Sequence, residues 1–65
     1  MVLGNIKRLC KERGETLTEM EIACGLAERA TRRWDENAPS VHAVQKVAEH
    51  FGVSVEEITK EEVNA

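Results

Sequence analysis

Sixty-five residues carrying a net charge of -3 allow one domain and one small core. A chain this short buries only about 60% of its unfolded surface, so its helices must pack closely or it must dimerise. A hydrophobic share of 42% argues against disorder, no apolar run approaches the ~18 residues of a membrane span, and "MVLGNIKR" is too short in its apolar part for a signal peptide. The chain reads as a soluble cytoplasmic protein.

Apolar residues recur at helical spacing and no alternating strand pattern appears, so the predicted class is all-α. A first helix is expected from about Leu3 to Arg13, with Ile6, Leu9 and Cys10 on one face. Gly14 ends it by supplying a left-handed turn. In "TLTEMEIAC", Thr16 with Glu19 and Thr18 with Glu21 both match a capping box, which starts a second helix burying Met20 and Cys24 at i, i+4. Gly25 breaks it and Leu26 fills the corner. Helix is expected to resume at about Glu28 and run to about Asp35, anchored by Trp34. Pro39 disfavours helix in Ala38, and Ser40 is a good N-cap. The stripe Val41, Val44, Val47, Ala48 and Phe51 marks a fourth helix, ended by Gly52. Ser54 with Glu57 caps a fifth, carrying Val55 and Ile58. Residues 1–60 are thus read as one domain and 61–65 as a frayed tail.

Charge is unevenly placed. Lys7, Arg8, Lys11 and Arg13 face Glu12 in the first helix, whereas Glu15, Glu19 and Glu21 make the next stretch acidic. The end of the chain, with Glu56, Glu57, Glu61 and Glu62 against Lys60, is acidic again. Between them, Arg29, Arg32 and Arg33 crowd three guanidinium groups into five residues, flanked by Glu28, Asp35 and Glu36. Cys10 and Cys24 fall on apolar helix faces and read as small core residues. With His42 and His50 they show no metal-ligand spacing, and both histidines read as surface residues. No nucleophile–base pair or phosphate-cradling glycine loop appears, so neither an enzyme, a cofactor nor a metal is expected.

A helix, a short glycine turn and a second short helix make a helix-turn-helix arrangement. "LTEMEIACGL", "RRWDENAPS" and "VQKVAEHFGVSVEEI" together resemble the lambda-repressor-like (XRE/Cro-type) helix-turn-helix family, in its phage-repressor-like variant with a "KWD...PS" core. Met20 stands at a family leucine, Gly25 and Leu26 at the turn, Asp35 after the apolar anchor Trp34, and Pro39-Ser40 at the start of the fourth helix. The likeness covers residues 5–58.

What this resemblance implies is a five-helix domain whose third helix, Glu28 to Trp34, enters the major groove of a double-stranded DNA operator. Base-reading positions then fall on Glu28, Arg29 and Arg33, the two arginines sharing a face at i, i+4, with Arg32 beside them. Arginine grips guanine O6 and N7 through two hydrogen bonds, and glutamate accepts from cytosine N4. Backbone or auxiliary contacts fall on Thr18, Arg32, Asn37 and Ser40. Departures from the family pattern include Leu17 for a phosphate-binding glutamine, Ala27 for a hydroxyl cap and Cys10 for a helix-1 arginine. Thr31 stands for a packing aliphatic residue, and the loop before Pro39 lacks the usual cations. The expected function is a sequence-specific DNA-binding transcriptional regulator of phage or mobile-element type, working as a homodimer whose surface comes from the fourth or fifth helix. The alternative is an interaction module of the same fold, such as an antirepressor that binds a repressor protein.

Overall fold

Hydroxyl side chains start three of the helices. Thr16 Oγ1 accepts from the amide of Glu19 at 3.1 Å, and Glu19 Oε1 returns the favour to the Thr16 amide at 2.8 Å. Ser40 and Ser54 accept from the amides of Ala43 and Glu57 at 3.2 and 3.3 Å. Each cap satisfies a donor that has no partner inside the first helical turn. At the other end of the helix that Ser40 caps, Gly52 takes a left-handed conformation, φ 69°, and sends its N–H back to the carbonyls of Ala48 and Glu49.

The structure, a computed structural model, describes residues 2–60. Along them run α1 (Val2–Arg13), α2 (Leu17–Ala23), a 3-10 helix (Ala30–Arg33), α3 (Val41–Phe51) and α4 (Val55–Thr59), with no strand among the described residues. The tail expectation for 61–65 lies outside them. No helix there is long and apolar enough to cross a membrane.

One core ties the helices together. Ile6, Met20, Val47 and Ile58, one from each α-helix, are fully buried, and Cys10, Cys24, Trp34, Val44, Ala48 and Phe51 complete the cluster. Burying one such large aliphatic side chain contributes about 1.5–3 kcal/mol. α3 packs on α4, α1 on both α4 and α2, and α2 on α3 and the 3-10 helix. Polar ties reinforce the same contacts. Asn5, itself buried, donates through Nδ2 to the carbonyls of Ile58 and Lys60 at 3.0 and 2.6 Å, closing the end of α4. Asp35 Oδ1 accepts from the Leu3 amide at 3.2 Å and so caps α1 from the far side of the chain.

Several expectations are corrected. The predicted helix from Glu28 to Asp35 is a four-residue 3-10 helix, and Arg29 ahead of it is left-handed at φ 64°. Arg29 and Arg33 therefore do not share an α-helical face. Of the two capping boxes only the one at Thr16 forms; Thr18 lies inside α2, and Glu21 turns into the protein instead of reaching back. Val41 leaves the predicted apolar stripe and is 72% exposed, because the first turn of α3 projects past the core. His50 is half-buried, its Nε2 2.8 Å from Glu15 Oε1, while Arg13 donates to its carbonyl at 3.1 Å.

Candidate nucleic-acid interface

Segment 25–37 carries the residues expected to read bases, Glu28, Arg29 and Arg33, with the auxiliary Arg32 and Asn37. Gly25, at φ 70°, turns the chain out of α2, and the Leu26 amide closes back on the Glu21 carbonyl at 2.9 Å. After Ala27 and Glu28 the backbone flips into the left-handed region at Arg29. A non-glycine residue there costs on the order of 1 kcal/mol unless its surroundings hold it. The 3-10 helix then makes one tight turn, Trp34 enters the core, and the amides of Glu36 and Asn37 both close on the Arg33 carbonyl, at 3.0 and 2.7 Å.

Glu21 supplies the holding. Its side chain is 1% exposed, on the inner face of α2. Oε1 accepts from the Arg29 amide at 3.2 Å. Oε2 accepts from the amide and the hydroxyl of Thr31, at 3.0 and 2.6 Å. Burial pushes this carboxyl upward, but the Thr31 hydroxyl, the two amides and the charge of Arg32 outweigh it, leaving Glu21 below its ordinary value. It is therefore an ionised carboxylate at neutral pH, and charge-assisted acceptors of this kind are about twice as strong as neutral ones.

On the outer side of the same turn, Glu28, Arg29, Arg32 and Arg33 are exposed and line one depression of about 600 Å³ with Ala27 and Ala30. None of the three arginines has a carboxylate within ion-pairing distance among the described residues. Glu28, Asp35 and Glu36 lie alongside them in sequence without pairing to them at that distance. The structure thus brings together the three residues expected to read bases and the auxiliary Arg32. It does not bring Thr18, Asn37 or Ser40 into that depression. Thr18 is exposed on the first turn of α2, Asn37 closes the turn through its backbone, and Ser40 is occupied in capping α3.

Sequence reasoning missed Glu21 and Thr31. The signal for Glu21 lay in its spacing: Leu17, Met20, Glu21 and Cys24 sit at i, i+3, i+4 and i+7, which is one face of a helix. An acid on that face requires a buried partner. Thr31, a departure from an expected aliphatic residue, is that partner, and it is fully buried.

Burial, with Glu15 adding to it, pushes the Cys10 thiol up to about 11, and burial likewise raises Cys24. Both thiols stay protonated in the core and make no site. No group of three or more His, Cys, Asp or Glu suited to a metal ion occurs among the described residues.

No family model, no curated protein and no solved structure matched the chain in comparison.

Proposed function

We propose that the protein is a DNA-binding regulator of the helix-turn-helix kind, in which α2, the glycine turn and the 3-10 segment form the reading unit. The observation that carries this reading is the set of three exposed guanidinium groups, Arg29, Arg32 and Arg33, gathered round one depression, with no carboxylate within ion-pairing distance of them among the described residues. Uncompensated cations crowded on one turn are what phosphate neutralisation requires, and arginine is also the side chain best suited to guanine edges. The all-helical core and the resemblance to lambda-repressor-like domains support the same reading, with double-stranded DNA as the partner and a homodimer doubling the contact. Because the four-residue turn is short and the chain as a whole is acidic, with a net charge of -3, binding is weak and strongly salt-dependent.

A second reading, an interaction module that binds a repressor, is favoured by the exposed Glu28, Asp35 and Glu36 beside the arginines, which thin the positive potential. A gel shift at low salt on duplex DNA flanking the gene separates the two. The DNA reading expects a sequence-dependent shift that Arg29→Ala with Arg33→Ala abolishes in a folded protein. Absence of any wild-type shift defeats it and leaves the interaction module.

A further inference from the structure

Trp34 anchors the far end of the arginine-bearing turn in the core, and a single polar side chain holds its start. Among the described residues, every hydrogen bond that this turn receives from a side chain outside it comes from Glu21, which places both carboxylate oxygens on Arg29 and Thr31. The backbone at Arg29 is the only left-handed non-glycine position described. An L-residue with a Cβ is disfavoured there relative to the ordinary basins. Without an acceptor beneath it, the Arg29 amide loses its partner and the backbone relaxes toward the ordinary basins. The guanidinium groups beyond it then point in many directions, and a ligand must order each of them on binding.

We propose that Glu21 is the positioning residue of the interface: its carboxylate selects the left-handed conformation of Arg29 and anchors Thr31. Arg29, Arg32 and Arg33 thereby meet nucleic acid as one preformed set. Glu21 acts from inside the protein and touches no nucleic acid. The inference rests on the DNA reading above and adds the conformation in which it operates. It also accounts for two features that otherwise stand apart, a fully ionised acid in a small core and a threonine in place of a packing aliphatic residue.

Glu21→Gln tests this with little change of shape, since it replaces one acceptor oxygen by an NH2 group that cannot accept from the turn's amides. In the variant, hydrogen exchange at the Arg29 and Thr31 amides accelerates while that of Val47 in the core stays slow. Binding to low-salt duplex DNA, measured where circular dichroism shows both proteins folded, weakens by about tenfold, the effect of one lost charge-assisted hydrogen bond. A double-mutant cycle with Arg29→Gly separates positioning from general stability. Glycine adopts the left-handed conformation without strain, so Glu21→Gln costs less than about threefold in that background if its role is to hold Arg29. An equal cost in both backgrounds, or unchanged exchange at Arg29 and Thr31, overturns the proposal. If Glu21→Gln fails to fold, Thr31→Val, which removes only the hydroxyl donor, takes its place in the same cycle. Wild-type protein that shifts no DNA at low salt defeats the DNA reading and this inference with it. Wild-type binding that Glu21→Gln leaves unchanged defeats the inference alone.

Discussion

The α3–α4 pair and the turn from Gly25 to Asn37 are neighbours in the chain held by opposite means. The first is assembled from local instructions: a serine cap, a continuous apolar stripe from Val44 to Phe51, a left-handed glycine and a second serine cap. The second has no side-chain cap of its own, starts on a left-handed arginine, and takes its shape from a carboxylate on another helix and an anchoring tryptophan. In the first, many weak terms agree, so no single polar group decides the outcome. In the second, one buried ionised residue does. Surfaces built in the second way carry function readily, because their conformation is not a compromise with helix propensity.

Substitutions sharpen this contrast in a clear order. Phe51→Ala, at the C-terminal end of the α3 stripe, is expected to cost about 3–5 kcal/mol in denaturant unfolding, enough to unfold most of a domain this small. Thr31→Val is expected to cost about 2 kcal/mol, by removing the hydroxyl that donates to the buried Glu21 carboxylate. The loss should be local, with faster amide exchange at 29–34 and unchanged protection in α3. Were Thr31→Val to unfold the protein as completely as Phe51→Ala, the turn would be part of the global core and the contrast would disappear. The smallest effect is expected of Ser40→Ala, about 1 kcal/mol from the lost cap, read as a modest drop in the denaturation midpoint.

Acid provides a further handle on the same difference. Glu21 sits below the ordinary glutamate value of 4.5 in the folded protein, so its ionised form favours the fold. That contribution is fully present above 4.5 and is lost as pH falls through the lower folded value. Thermal midpoints followed downward from pH 5 should therefore fall less steeply in Glu21→Gln than in the wild type. Identical slopes would show that other carboxylates govern acid unfolding.

Helix positions were largely legible in the sequence. The start of α3 at Ser40, its end at Gly52, the Thr16 cap, the burial of Met20, Cys24 and Trp34, and the all-helical class all follow from residue types at fixed spacing. The candidate interface was legible in its members but not in its form. Glu28, Arg29, Arg32 and Arg33 were identifiable as free side chains, yet an α-helix was expected where a 3-10 turn forms. Periodicity places Ala30, Arg33 and Trp34 on one helical face, and nothing within that window forbids a helix. What forbids it is Glu21, eight residues before Arg29. Asp35 is a comparable case: it looks like a flanking acid, and in the fold it caps α1 through the Leu3 amide.

Composition, apolar period and capping residues alone determined that this chain is a small helical domain, with three of its five arginines in one short segment. Those terms act between residues a few positions apart, so they survive in any compact arrangement of the helices. Tertiary structure decided the conformation of the arginine turn, the inward orientation of Glu21 and the partnership of Thr31. These depend on removing a carboxylate from water, which makes its hydrogen bonds strong and its choice of partners obligatory only once α2 has packed against the segment that follows it.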